Sequence, residues 1–332
     1  MSQTSFTKLL NIEVPVICGA MYPCSNVELI AEVSEAGGIG IIQPLSLEYV
    51  YKIPLKEGIQ QIRKRTSKPV GINILVEKSS QIYEQRMRQW VKTALAEGIR
   101  FFITALGNPT WVLEEIKPHG GILFHDVINR KWALKVAPLS VDGLICVNSR
   151  AGGHAGTENP KELYEELKDF KLPLICAGGV GGEKDFIEAL KLGYDGVQMG
   201  TRFIATQECK AHVSYKQAIV QAQEADIVLT DKVTGVPLSV IKTPYIEKIG
   251  THAGPFTRFL LRNPKTKHWM RLLLQLQSIW KLKRSNLKGL SSKDYWQAGK
   301  SVGSIHSIES ASDVVKRFSS LSFEKNKPVV HV

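Results

Sequence analysis

From Val14 to Met199 the chain alternates short apolar runs with amphipathic stretches. The runs at 14–18, 39–42, 69–74, 100–104, 121–124, 141–147, 173–176 and 195–199 predict strands buried on both faces. Between them, apolar residues at helical spacing predict helices. Leu29, Ile30 and Val33 share one face behind a cap at Ser25 or Asn26, and Gly37-Gly38 stops that helix. Further helices are predicted over 55–65, 81–97, 110–117, 129–137, from Asn159-Pro160 to Lys168, and over 183–192. This regular α/β alternation matches a TIM (β/α)8 barrel, which needs ~250 residues. The chain has 332. The rival is a doubly wound open sheet, which usually carries G-x-G-x-x-G after its first strand. Here that position reads Gly19-Ala-Met-Tyr-Pro-Cys24. The barrel is the expected fold.

Beyond Thr201 the pattern changes. Residues 208–224, rich in Ala and Gln, read as a helix or helix pair, and 227–230 and 238–241 as extended runs around a turn at Thr234-Gly235. No acidic residue occurs in 251–293, where Arg258, Arg262, Lys265, Arg271, Lys283 and Lys288 sit among Phe256, Phe259, Trp269 and Trp280. Such a basic amphipathic segment can lie on a membrane surface or meet an acidic partner. It can equally pack over the barrel as a lid or dimer contact with its basic face in solvent. A last helix is signalled by Ser310-Ala-Ser-Asp313, followed by Val314, Val315 and Phe318. The expected organisation is a barrel core over 1–205, a substrate-side lid region over 206–306 containing the basic insert 251–293, and a C-terminal helix and tail over 307–332.

The charge balance, 43 Lys+Arg against 31 Asp+Glu, is +12 and permits phosphate cofactors, nucleic acid or an acidic carrier protein. Nucleic acid is not expected, because no recognisable binding motif accompanies the charge. The five cysteines form no CxxC pair, which points to a reducing compartment. The N-terminus lacks a signal-peptide pattern, and no apolar run approaches the ~20 residues of a membrane span. A cytoplasmic protein is the expectation. His119, His125, His212 and His252 share no spacing, so no metal site is expected.

The densest chemistry lies in Ser149-Arg-Ala-Gly-Gly-His-Ala-Gly156, after the sixth strand. Glycines let a backbone approach a ligand closely, and His154 is suited to proton transfer near neutrality. In a TIM barrel the strand C-termini carry the site, and the loops after strands seven and eight often hold phosphate. Those loops read Ala177-Gly-Gly-Val-Gly-Gly182 and Gly200-Thr201. Glycine-rich turns of this kind expose N–H groups to an anion, although they also serve as plain tight turns. Asn73 is expected to end a strand on the same rim, as a site residue or a loop-capping amide.

Ala151-Gly-Gly-His-Ala-Gly156, Ala177-Gly-Gly-Val180 and Gln198-Met-Gly-Thr-Arg-Phe203 together resemble the motif set of the nitronate monooxygenase (2-nitropropane dioxygenase) family. They are also similar to the related FMN-dependent enoyl-acyl carrier protein reductase II enzymes. Gly19-Ala-Met21, Gly71-Ile-Asn73, the stretch 208–216 and Trp296-Gln-Ala-Gly-Lys-Ser-Val-Gly303 extend the resemblance. It implies an FMN-dependent oxidoreductase. The phosphate would lie near Gly178, Gly179, Gly200 and Thr201, with Gln198 and Met199 leading in. Met21 and Asn73 would contact the flavin ring region, and Gly152 would lie against the cofactor. His154 matches the catalytic base. The substrate would be a nitronate oxidised with O2 to a carbonyl compound and nitrite. The alternative is an acyl thioester reduced with NAD(P)H, and a lesser one is a non-catalytic binding or membrane-surface module. A homo-oligomer is compatible with either. Many members have Gln where this chain has Val147 and Glu where it has Arg150.

Overall fold

The computed structural model describes residues 3–76, 81–254, 267–289 and 295–321. Eight parallel strands form a closed barrel in chain order. They are β1 (Val16–Cys18), β2 (Ile39–Ile42), β3 (Val70–Val76), β4 (Phe101–Leu106), β5 (Ile122–Val127), β6 (Gly143–Val147), β7 (Leu174–Ala177) and β8 (Gly196–Met199). Closure pairs β8 with β1, placing Ile17 opposite Gln198. Helices α2 (Val27–Glu35) through α8 (Glu183–Leu192) follow the first seven strands, and the short α9 (Thr201–Ile204) follows the eighth. The TIM barrel expected from the alternation is the observed fold.

The period-2 alternation of side chains divides each strand between two cores. Outward residues such as Val16, Ile42, Ile72, Phe102, Leu144 and Val197 pack under the helices. Inward residues, among them Ile17, Ile41, Ile103, Phe124, Ile145 and Ile175, fill the barrel. A further helix, α1 (Ser5–Leu10), plugs the N-terminal end. Its Phe6 lies 6.4 Å from the Phe101 ring and 5.7 Å from the Phe124 ring, centroid to centroid. The bottom of the barrel is thereby packed shut, leaving the C-terminal mouth for chemistry. The sequence pattern did not announce α1, because six residues show too little periodicity. Its start is fixed instead by a reciprocal Thr4–Thr7 capping box.

Two local expectations are corrected. Asn73 does not end its strand: β3 continues to Val76, and Asn73 pairs with Ile103. The run 208–224 is helical only in α10 (Val213–Gln221). Ahead of α10, the chain is held irregular by Lys216, whose Nζ donates to the carbonyls of Thr206 and Gln207 at 2.6 and 3.4 Å. Glu208 meanwhile accepts from the Ala311 N–H and so anchors the start of the last helix. The sequence pattern also missed a π-helical turn over Ser46–Val50.

After the barrel come an antiparallel hairpin, β9 (Ile227–Thr230) and β10 (Leu238–Ile241), then α11 (Pro244–Ile249), α12 (Lys267–Lys288) and α13 (Ala311–Ser319). Phe256, Arg258, Phe259, Arg262 and Lys265 of the basic segment lie outside the described residues. Along α12, Ser278, Leu282, Ser285 and Asn286 are buried, whereas Trp280 is 60% exposed. Lys283 donates to the Tyr49 carbonyl at 2.7 Å, and the Ser278 and Tyr295 hydroxyls are 2.5 Å apart. The described part of α12 therefore has the packed arrangement of the two readings of this segment. Among the described residues no helix is long and apolar enough to cross a membrane.

Candidate active site

The loop after β6 is held by Asn148, a fully buried amide that sequence reasoning missed. Its Oδ1 accepts from Arg150 N at 2.9 Å, and its Nδ2 donates to the Gly178 carbonyl at 3.0 Å. One side chain thus shapes the His154 loop and ties it to the glycine loop after β7. Gly178 and Gly179 both have positive φ, +121° and +82°, a backbone region that favours glycine. A Cβ on Gly178 would lie 2.6 Å from Ala151 N and from Asn148 Oδ1. No hydrogen bond outside the helices and strands uses the N–H of Gly179 or Val180 among the described residues. Those of Gly181 and Gly182 are taken by Asp185 Oδ2, at 3.0 and 3.1 Å. The expected anion cradle therefore narrows to the first half of this glycine run.

Its other wall is the turn at Gly200-Thr201. The thioether of Met21 lies beside Gly200, 3.4 Å from where a Cβ would stand. Met21 is itself fixed by Ser25, whose hydroxyl accepts from Met21 N at 2.9 Å. Thr201 Oγ1 accepts from Gly299 N at 3.0 Å. Gly299 in turn presses on Gly152: a Cβ on either would fall within 2.8 Å of the other's backbone nitrogen. The Trp296–Gly303 stretch is thus a wedge between the loops after β6 and β8. Lys300 N adds a bond to the Arg150 carbonyl at 2.9 Å, and the Trp296 ring stacks on Tyr215 at 5.2 Å.

Gln198 points inward beneath this cradle, its side chain lying over Gly19. Its Oε1 is sealed from solvent without a hydrogen-bond partner among the described residues. Asn73 stands inward on β3, half-buried, with no side-chain hydrogen bond among the described residues. Met199 is the outlier of the expected set. Its side chain packs in the outer core, and its carbonyl already accepts from Gly19 N at 3.0 Å.

His154 is exposed at the rim, and no hydrogen bond or ion pair among the described residues fixes its ring. The protein around it desolvates the imidazolium and lowers its pKa below the ordinary 6.5. Arg150 does not face an empty rim. It forms an ion pair with Glu224 and packs over Gly179. Sequence reasoning also missed Asp126, on β5 two residues after the inward Phe124. Burial raises its carboxyl pKa to about 7.

A plugged barrel whose mouth combines a glycine cradle, two inward amides and a rim histidine has the layout of a TIM-barrel enzyme, with the site at the strand C-termini. The chain belongs to the nitronate monooxygenase family, whose model matches residues 3–320. One relative is (3aS,4S,5R,7aS)-5-hydroxy-7a-methyl-1-oxo-octahydro-1H-indene-4-carboxyl-CoA dehydrogenase of Mycobacterium tuberculosis. It is 25% identical, over 95% of this chain and 94% of its own. A probable nitronate monooxygenase of Staphylococcus saprophyticus is 26% identical over 79% of this chain and 85% of its own. Among solved structures, FabK from Thermotoga maritima is similar with a TM-score of 0.79 and 28% identity, covering 96% and 95% of the two chains.

Proposed function

We propose that the protein is an FMN-dependent nitronate monooxygenase in which His154 is the catalytic base. The observation that carries this reading is the rim geometry: His154 stands on the loop that Asn148 ties directly to the Gly178–Gly179 cradle. FMN fits the residues present, since the free N–H groups of Gly179 and Val180 suit a phosphate. The sealed Oε1 of Gln198 and the open Asn73 amide suit a polar ring edge. Gly200 and Thr201 complete the phosphate side, Met21 and Gly152 flank the ring, and Met199 contributes only through its backbone. When bound, FMN supplies the electron acceptance that O2 then regenerates.

His154 holds the proton chemistry. Its lowered pKa keeps Nδ1 and Nε2 free of a second proton at neutral pH, so the ring can take a proton from the carbon beside a nitro group or orient the nitronate. The packing of Phe6 on Phe101 and Phe124 closes the bottom of the barrel, so the site opens at the mouth. Residues 1–205 act as the cofactor-binding core. The described residues of 206–306 would form the substrate side, and α13 returns to the barrel through Phe318, which stacks on Phe186.

A second reading is an acyl-thioester oxidoreductase using NAD(P)H. It is favoured by the near full-length similarity to a carboxyl-CoA dehydrogenase and by Arg150, a cation beside the site. Parallel assays separate the two. Anaerobic mixing with an alkyl nitronate should bleach the bound flavin if the first reading holds. NAD(P)H oxidation stimulated by an enoyl thioester, with no response to nitronate, would replace it with the second.

A further inference from the structure

Asp126 sits near the mouth end of β5 and is used by none of the steps above. Phe124, two residues earlier, belongs to the barrel interior, whereas Leu123 and Val127 belong to the outer core. Strand alternation therefore turns Asp126 toward the barrel axis. Its Oδ1 is sealed from solvent and has no hydrogen-bond partner among the described residues, although the residue as a whole is only half-buried. The neighbouring strands offer it no donor. Their inward side chains at this level are Ala105 of β4, one residue beyond the Thr104–His125 pair, and Ile145 and Val147 of β6, all apolar. The titratable neighbours face away: His125 is paired with Thr104 at 2.8 Å, and Cys146 lies in the outer core. A sealed carboxyl oxygen without a partner is costly, by about 1–3 kcal/mol for a neutral group and more for a charged one. Asp126 is inward and the penultimate residue of β5, so beyond it lies the mouth.

Gln198 Oε1 is a second sealed, unpartnered oxygen, on β8. Two such groups on strands three apart in one barrel mouth ask for a single flat ligand with polar atoms along its edge. We infer that Asp126 is a cofactor contact, hydrogen-bonding the polar edge of the flavin ring from the β5 side of the barrel. This rests on the flavin reading of the site. As a carboxylic acid Asp126 donates to a ring carbonyl or nitrogen; as a carboxylate it accepts from the ring N–H.

The experiment compares the full-length protein with Asp126→Asn and Asp126→Ala. The readouts are the FMN dissociation constant, the visible flavin spectrum, and the flavin midpoint potential from roughly pH 5.5 to 8.5. Asp126→Ala should weaken FMN about ten-fold. Asp126→Asn should retain binding but abolish an inflection that the wild-type potential shows as Asp126 titrates. Circular dichroism checks folding, and if the alanine variant does not fold the asparagine comparison decides. Wild-type protein that loads FMN, with every folded variant matching it in affinity, spectrum and potential, overturns the inference and leaves the flavin reading intact. Wild-type protein that cannot be loaded with FMN overturns both.

Discussion

Gly153 and Ser239 exchange two backbone hydrogen bonds, Ser239 N to Gly153 O at 2.8 Å and Gly153 N to Ser239 O at 3.4 Å. The residue before His154 is therefore bridged to β10, an element outside the barrel. Ser239 lies opposite Leu229 in the β9–β10 ladder, but its own N–H and C=O are directed to Gly153. Replacing Ser239 by Pro removes that donor while sparing the ladder bonds. With His154 less well placed, Ser239→Pro should lower kcat with flavin content retained. Equal loss of flavin and activity would instead mean that the bridge holds the cofactor loop.

His154→Asn should slow proton abstraction from a nitroalkane by roughly 10²–10⁴-fold, with the flavin still bound. Rapid-mixing reduction of the flavin provides the measurement. A preformed nitronate needs no such proton removal, so its oxidation should suffer less.

The acid limb of the pH profile follows from the direction of the His154 shift. The base works when neutral, and desolvation lowers its pKa below 6.5. Activity should persist as pH falls through 6.5 and decline only below it. A limb centred above 6.5 in kcat/KM would contradict this assignment.

Two adjacent residues on β5 give stability opposite pH slopes. Burial pushes the His125 pKa down from 6.5 to about 4 and the Asp126 pKa up from 3.8 to about 7. For His125 the unfolded chain binds the proton first, so stability falls as pH drops from 6.5 to about 4. For Asp126 the folded chain holds the proton longer, so its contribution is present below 3.8 and is lost as pH rises to about 7. In the flavin-free protein, Asp126→Asn should therefore raise the melting temperature at pH 8 and leave it nearly unchanged at pH 4. His125→Asn should reduce the loss of stability between pH 6.5 and 4.

Gly178→Ala tests the cradle. The new Cβ would meet backbone at 2.6 Å in a left-handed conformation, costing about 1–3 kcal/mol. Flavin content should fall sharply. By contrast, Arg150→Ala removes an ion pair with a half-exposed Glu224 and should cost less than about 1 kcal/mol of stability.

Much of this was legible in the residues. The eight strands were readable because both faces are mostly buried, so each run is dominated by apolar residues and bounded by caps or glycines. Residues 183–192, 227–230 and 238–241 fall at their expected limits. The rim positions of the glycine loops and of His154 were readable because each directly follows a strand in the chain. Asn148 and Asp126 were not. Asn148 acts by reaching Gly178, thirty positions away. Asp126 is notable only because its neighbours across the sheet are apolar, which depends on register. Asn73 was misplaced because the apolar run continues past it through Val76.

A flavin held at this barrel mouth is read out by the purified protein's visible spectrum together with the mass of the ligand it releases. Oxidised-flavin absorption and the mass of FMN are expected, in the protein as isolated or after loading. Colourless protein that takes up no FMN would contradict it.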